Sequence, residues 1–318
     1  MNGRRVNLAF LISILLYILC IFGAAFLFPK LVDNIVSSNL LCEAVVVLPG
    51  ILFALFSGEK LTEFVGFKRM KATTLLAVIP FTMFSMPAIS LVNLLSQFLV
   101  RNEVTAMMES YQIAEMPFWQ VLFSIGIFAP FCEEVICRGV YYRGYKRSGG
   151  AFKAMLLSAL LFAVVHMNLN QAMYAFFMGI MAVLLVEATG SLWSSVIYHG
   201  LINSSQVALM YSALKINPSV YSEAAEEIMT TGMLVYSVAV YLVIVAVTLP
   251  LAWAILVWMS GNEERRGILP SVWQERNYRG TASEGKKKDK LVTASLILAL
   301  ILCVAVMIIT GVLNMLFG

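Results

Sequence analysis

The sequence has few charged residues, no closely spaced cysteine pairs and only a small net charge. Only 13% of its residues are charged, whereas soluble domains carry about a quarter, so the composition argues against a water-soluble fold. Its five cysteines form no C-x-x-C pair or cluster, which argues against a disulfide framework or a zinc knuckle. The net charge of +4 has a topological explanation, given below, and no nucleic-acid partner is expected.

Several common catalytic motifs are missing as well. There is no H-E-x-x-H, and there is no G-x-S-x-G, P-loop or dinucleotide-binding glycine motif. Serines do lie near His199, but no carboxylate in that segment would orient a base for them. These absences disfavour the common zincin arrangement and a serine nucleophile.

What the sequence does have is a series of long apolar runs. Hydrophobic residues make up 60% of the chain, and the mean hydropathy is +0.86. Each run covers roughly the ~20 residues that a helix needs to cross the hydrocarbon core of a membrane. We predict an all-α fold, a polytopic transmembrane helix bundle of eight or nine spans, of which the ninth is the least certain. The predicted spans are residues 6–28, 40–56, 74–100, 118–138, 152–168, 171–188, 191–213, 232–259 and 291–316.

The Lys and Arg residues predict the orientation of these spans. With a cytoplasmic N-terminus, all but three of the 22 Lys and Arg residues fall on the cytoplasmic side, as the positive-inside rule requires. The three exceptions are Lys30, Arg101 and Lys215. We therefore predict a multi-pass membrane protein with a cytoplasmic N-terminus. Short loops and the lack of an organelle signal favour a bacterial cytoplasmic membrane.

Ionisable residues inside the apolar runs gather in the fourth to seventh spans. Each costs about 2.5–3.5 kcal/mol to insert, so each is a functional candidate. The first group is F-C-E-E-V-I-C-R-G, residues 131–139. Glu134 and Arg138 are four residues apart with the acid first, which predicts an intrahelical ion pair. Glu133 points about 100° away on the helix and is left to face a neighbouring helix, where a desolvated carboxylate is suited to act as a general base.

The two histidines of the chain both fall in apolar runs. His166 follows Phe162 by one helical turn, and His199 precedes Asn203 by one turn. Taken alone, the first of these motifs favours a hydrogen-bonded packing histidine, and the second is ambiguous between packing and function. Histidine and glutamate are, however, the residues that bind zinc or move a proton near neutral pH. With the Glu-Glu-x-x-x-Arg group they indicate activation of water, and amide hydrolysis is the natural reaction.

The three motifs resemble those of the CAAX protease and bacteriocin-processing family, also called the Abi family of intramembrane endopeptidases. That family is marked by E-E-x-x-x-R, F-x-x-x-H and H-x-x-x-N, which occur here in the same order within residues 118–213. The resemblance implies a conical helix bundle around a polar cavity. It also implies cleavage of a membrane-associated or prenylated peptide or protein.

The resemblance further implies a role for each motif residue. The position matching Glu133 would activate water with help from the one matching His166. The positions matching His199 and Asn203 would stabilise the oxyanion, and the ion pair of the first motif would support the site.

A metal cofactor is left open by the motifs. The family has been described both as a metalloprotease family and as one with a metal-free, glutamate-dependent mechanism. If a metal such as Zn²⁺ is bound, the predicted ligands are Glu133, His166 and His199.

The motifs divide the chain into three predicted parts. Residues 1–117 form N-terminal transmembrane helices, residues 118–213 a catalytic core of four transmembrane helices, and residues 214–318 C-terminal transmembrane helices. The last part includes a basic cytoplasmic loop, 260–290, which resembles a flexible linker and contains the run Lys286-Lys287-Lys288.

Two other classes of function fit parts of the pattern. Glutamate and histidine relays also occur in proton-coupled transporters, although no inverted repeat or pair of broken helices is evident here. A catalytically silent membrane protein of the bacteriocin-immunity type would keep the fold without turnover.

Overall fold

A computed structural model describes the chain except for residues 59, 101–112, 114–115, 217–229, 278–289 and 318. The described residues are helical and include no strand. The helices in chain order are α1 (Gly3–Leu27), α2 (Ile35–Leu55), α3 (Leu61–Val65), α4 (Ala72–Ser96), α5 (Phe118–Gly149), α6 (Ala151–Val164), α7 (Leu169–Thr189), α8 (Leu192–Ile216), α9 (Thr231–Asn262), α10 (Ile268–Gln274) and α11 (Ala294–Phe317), with single turns at Pro29–Val32 and Glu275–Asn277.

The predicted multi-pass helical bundle is confirmed, but the span count differs from eight or nine. Within the described residues, seven helices are long and apolar enough to cross a membrane, judged by length and composition. Two predicted spans are helices that do not qualify. The fifth, α6, has only 14 residues, and the seventh, α8, is 25 residues long but interrupted by serine, asparagine and histidine. These polar residues are the ones that the site requires.

Contacts between turns place the connections alternately at two ends of the bundle. At one end, the Ser191 hydroxyl in the α7–α8 turn donates to the carbonyl of Lys68 in the α3–α4 connection. At the other end, the Asn170 amide at the start of α7 donates to the side chain of Asn93 near the end of α4, 2.8 Å away. Side-chain hydrogen bonds of this kind fix neighbouring membrane helices because lipid offers no competing partner.

The centre of the bundle is formed by the helices that carry the motifs. Two thirds of the apolar window of α7 is buried (67%), against 11% for α9. The outer helices expose large apolar side chains, such as Phe22 of α1 and Val243 of α9. Apolar exposure on a helix that spans a membrane faces lipid, where it costs nothing. The inner helices therefore position the site, and the outer ones enclose it.

Helix α5 is longer and less regular than the predicted span, which ended at residue 138. It contains two π-helical stretches, Leu122–Phe128 and Val135–Tyr142, and continues to Gly149. Gly150, at φ +80°, then ends it, since a left-handed backbone suits glycine. The α-helical turns between the two stretches, Ala129–Glu134, carry both glutamates of the first motif. Such π-turns are frequent at functional sites.

The predicted basic loop, 260–290, is partly helical where the structure describes it. Helix α10 lies within it, and its Leu269 and Val272 are buried. The glutamate after α10, Glu275, accepts a hydrogen bond from the backbone N–H of Ala151. This half of the loop is therefore packed and is not a plain linker. The run Lys286-Lys287-Lys288 lies outside the described residues.

Candidate active site

Glu134 and Arg138 form the predicted ion pair inside α5. Arg138 Nη1 lies 2.8 Å from Glu134 Oε1, and both side chains are fully buried. The guanidinium also lies over the ring of Phe162, with its carbon 4.2 Å from the ring centroid, in the range of a cation–π contact. The charge of the arginine is thus matched by a carboxylate on one side and an aromatic face on the other.

His199 of α8 contacts both glutamates, which the motif spacing did not predict. Its Nδ1 lies 3.1 Å from Glu134 Oε1, and its Nε2 lies 3.5 Å from Glu133 Oε2. The residue is almost completely buried, at 2% exposure. Since the carboxylate of Glu134 can only accept, Nδ1 of His199 carries the proton in this contact, and the ring is oriented with Nε2 towards Glu133.

His166 lies in a turn and not, as predicted, inside a helix that runs to residue 168. Helix α6 ends at Val164, and Asn168 caps the start of α7. Between them, Met167 has a φ of +50°, which reverses the chain. The His166 Nδ1 atom lies 2.7 Å from the carbonyl oxygen of Phe162, so the predicted one-turn relation to Phe162 is kept. With about 1.5 Å of rise per residue, α6 stops well short of a full crossing and leaves His166 at the depth of the site.

Glu133 occupies the point at which the two histidines converge. Its Oε1 lies 3.8 Å from His166 Nε2, and its Oε2 lies 3.5 Å from His199 Nε2. Both separations exceed a direct hydrogen bond, so Glu133 faces both imidazoles without being bonded directly to either. The ring of Phe162 meets both imidazoles edge-on, with centroids 5.1 and 5.5 Å away. Phe162 therefore holds the two histidine rings apart while Glu133 faces both.

Among the described residues, Asn203 is hydrogen-bonded to the backbone of α5 and not to another predicted site residue. Its side-chain amide donates to the carbonyl of Ile125 at 3.1 Å, in the first π-helical stretch of α5. The neighbouring Ser204 hydroxyl donates to the next carbonyl, that of Gly126, also at 3.1 Å. In the described part of the chain Asn203 has no hydrogen bond to the other five predicted residues. Its predicted role at the oxyanion stays a prediction.

Sequence reasoning missed a further buried glutamate, Glu43 of α2. Its side chain is buried, with 8% exposure, and it lies close enough to Glu133 for the two carboxyl groups to interact electrostatically. It belongs to no motif and stands alone in the predicted second span. The rule that every ionisable residue inside a membrane span is a functional candidate would have found it.

Glu187, a further acid of the inner helices, lies outside this cluster. It accepts from Lys146 Nζ at 2.6 Å and from the Tyr142 hydroxyl at 2.8 Å. These contacts join α7 to the cytoplasmic end predicted for α5. Its role is to pair basic side chains between helices.

The predicted zinc ligands supply suitable donor atoms but no complete metal site. Two imidazole nitrogens and a carboxylate are a donor set that zinc accepts, and both Nε2 atoms face Glu133. Among the described residues, however, no group of three or more His, Cys, Asp or Glu is arranged to hold a metal ion. Zn²⁺ therefore stays a prediction from the sequence, with Glu133, His166 and His199 as the residues that would hold it.

Comparison with known proteins gives one match, at this site. Residues 115–205 match the family model described as type II CAAX prenyl endopeptidase Rce1-like, and this range contains all six predicted site residues. No curated protein and no solved structure matches the chain. The match supports a CAAX-type intramembrane endopeptidase acting on a membrane-associated substrate. It confirms the resemblance that the three motifs indicated: over residues 115–205 the chain is similar to the Rce1-like members of the CAAX protease family.

Proposed function

We propose that this protein hydrolyses a peptide bond of a membrane-associated or prenylated substrate with a water molecule activated by Glu133 and His166. The observation that carries the proposal is the position of Glu133, whose two oxygens face the Nε2 atoms of both histidines. Four polar side chains converging inside an apolar bundle are costly unless they serve chemistry. The description of the matched family supports a prenylated substrate.

Activation of water follows from the hydrogen bonds of His166. A backbone carbonyl can only accept, so Nδ1 of His166 donates to Phe162, and Nε2 of the neutral ring is an acceptor. Water placed between Nε2 and Glu133 Oε1 finds two acceptors for its protons. Glu133 takes one proton as the oxygen attacks the carbonyl carbon, and it returns that proton to the leaving amine nitrogen as the bond breaks.

Oxyanion stabilisation falls to the opposite side of the site. His199 donates from Nδ1 to Glu134, so its Nε2 carries a proton only when the ring is an imidazolium. Asn203 uses one amide proton on Ile125, and its second amide proton is left to meet a developing oxyanion, which is the usual role of an asparagine in such a site.

The topology proposed for this activity has a cytoplasmic N-terminus and a catalytic core of residues 118–213. The backbone N–H of Gly3 donates to the Ser148 hydroxyl at 2.9 Å, so the start of the chain lies at the same end as the basic side chains of Arg143 and Lys146. A shared end for these residues is what the positive-inside rule predicts for the cytoplasmic face. A bacterial cytoplasmic membrane remains our proposed location.

The proposal is tested by separate removal of the two water-activating groups. We expect Glu133→Gln and His166→Ala to lower the cleavage rate of a prenylated peptide in proteoliposomes by at least about 100-fold, since positioned general bases contribute factors of roughly 10²–10⁴. Glu63→Gln is the matched control, because its side chain is 75% exposed and its ion pair is with Lys60 at the start of the same short helix. Thermal unfolding should be similar in all four proteins. Wild-type cleavage by both site variants would refute the mechanism.

A further inference from the structure

The turn that carries His166 is followed by an asparagine that belongs to none of the three motifs. Asn170 lies in the first turn of α7 (Leu169–Thr189) and has only 1% exposure. A buried amide costs free energy unless it is hydrogen-bonded, and inside a membrane its partners are found on neighbouring helices. A leucine of similar size would avoid that cost, so the contacts of Asn170 indicate what its amide does.

The amide of Asn170 is bonded to the end of α4 (Ala72–Ser96). Its Nδ2 donates to Asn93 Oδ1 at 2.8 Å and to Ser96 Oγ at 2.6 Å, which uses both of its protons. The Ser96 hydroxyl donates in turn to the backbone carbonyl of Asn93 at 2.6 Å, so its oxygen is oriented to accept. Ser96 is the last residue of α4 and is fully buried. The start of α7 is therefore attached to a fixed point on a neighbouring helix.

This attachment affects His166 because the connection between α6 and α7 is short, residues 165–168. Asn168 already caps α7 by accepting a hydrogen bond from the N–H of Gln171 at 2.8 Å. Met167 has a φ of +50°, a left-handed conformation that a residue other than glycine keeps only where its surroundings impose it. A turn this tight cannot move independently of the first turn of α7, so the height of α7 determines where His166 lies.

The two contacts of the His166 ring with the site do not fix that height. Its Nδ1 is bonded to the carbonyl of Phe162 at 2.7 Å, a residue of its own helix that moves with it. Its Nε2 lies 3.8 Å from Glu133 Oε1, which is longer than a hydrogen bond. Neither contact ties the imidazole to another helix by a hydrogen bond. The bonds of Asn170 supply such a tie one helical turn further along the chain.

We infer that Asn170 is a positioning residue for the proposed hydrolysis: its two hydrogen bonds to the end of α4 fix the turn that presents His166 to Glu133. The inference rests on the proposed function. Hydrogen bonds between membrane helices contribute only modestly to stability, so the bundle is expected to fold without these two. A misplacement of about 1 Å at a reacting group lowers a rate about 100-fold, so their loss affects turnover more than binding.

Asn170→Leu removes both donors and keeps a side chain of similar size. In the proteoliposome assay with a prenylated peptide, we expect it to lower kcat about 10- to 100-fold and to leave KM within about twofold, since the lost contact acts on the reacting groups. Asn262→Leu is the matched control. Asn262, at the end of α9, also donates to α4, to the hydroxyls of Thr73 and Thr74 at 2.9 and 2.8 Å. These bonds lie at the opposite end of α4, so we expect wild-type kcat.

The ring resonances of the two histidines give a readout that does not require cleavage. Because His166 and His199 are the two histidines of the chain, NMR of ¹⁵N-labelled histidine yields two sets of ring signals, which His166→Ala assigns. We expect Asn170→Leu to shift the signals of His166 and to leave those of His199 in place. Asn262→Leu should shift neither. A general loosening of the bundle would instead move both sets and would count against the inference.

Asn93→Leu removes one acceptor of the same contact and replaces Asn170→Leu in the test if that protein does not fold. Combined with Asn170→Leu it should cause little further loss of kcat, since both changes act on one interaction. Wild-type kcat or unshifted His166 signals in the folded variant would overturn the positioning role, and so would an equal loss of kcat in Asn262→Leu. Wild-type cleavage by His166→Ala would instead reject the proposed function, while the His166 signals would still report whether Asn170 holds the ring.

Discussion

Arg138 keeps a full charge where no water reaches it, and three neighbours make that tolerable. Glu134 lies 2.8 Å away and carries the opposite charge, and the ring of Phe162 lies under the guanidinium at 4.2 Å. His199, from another helix, is hydrogen-bonded to the same oxygen of Glu134. Burial strengthens each of these interactions because the local dielectric constant is low. The same burial makes each partner costly to remove alone.

We predict that Arg138→Met destabilises the protein by about 3–5 kcal/mol, the usual cost of leaving a buried charge without its partner. The neutral pair Arg138→Met with Glu134→Gln should recover a large part of that loss, since it leaves no uncompensated charge. Thermal or denaturant unfolding in detergent measures both. A double variant less stable than Arg138→Met would show that the pair is not the source of the stability.

At the scale of helices, the distance between α6 and α7 positions His166. Gly179 of α7 lies against Ala159 of α6, and a Cβ at Gly179 would lie 2.9 Å from the Cβ and 3.0 Å from the Cα of Ala159. Small residues at such crossings let membrane helices approach closely. Since α6 ends just before His166, any separation of the two helices moves the histidine away from Glu133.

We predict that Gly179→Ala destabilises the protein by about 1–3 kcal/mol, the range found for overpacked interiors, and lowers the cleavage rate as well. Gly23→Ala in α1 is the control, because an added Cβ there meets nothing within 4 Å. Unfolding and cleavage are compared in the two proteins. Equal stability of both variants would mean that the α6–α7 crossing accommodates an added Cβ at Gly179.

At the scale of the whole molecule, the bundle separates an inner set of helices, which carries the polar residues, from an outer set in contact with lipid. The first and last helices meet at one end, where the Asn7 amide donates to the Leu291 carbonyl and the Thr293 hydroxyl at 2.8 and 2.9 Å. The start of α1 and the residues just before α11 therefore lie at the same end of the bundle. This arrangement leads to a test of the proposed orientation.

We predict that a membrane-impermeant thiol reagent labels Ser212→Cys on intact cells and labels Lys60→Cys only after permeabilisation. Ser212 is exposed near the end of α8, and the Lys60 side chain is 81% exposed at the opposite end of the bundle. The unsubstituted chain, whose five cysteines all lie in helices, gives the background. The reverse pattern would place the N-terminus outside.

The helical class, the approximate positions of the spans and the first motif were readable from the sequence because they depend on local spacing. An apolar run of sufficient length has to become a helix in lipid, since the backbone has no other hydrogen-bonding partners there. Glu134 and Arg138 pair because residues four apart are neighbours on any helix. The matched family segment contains the same short spacings, which is why three motifs sufficed to indicate it.

The end of α6 before His166, the bridge of His199 between two glutamates and the proximity of Glu43 to Glu133 were decided only by the tertiary structure. Each depends on residues far apart in the chain: His199 and Glu134 are 65 positions apart, and Glu43 lies in a different helix from every motif. Their geometry is set by how closely α2, α5, α6 and α8 pack, which depends on the shape of whole helix faces. The sequence by itself determined which groups are present and that they lie in a membrane, whereas the packing of four helices decided that Glu133 faces both histidines.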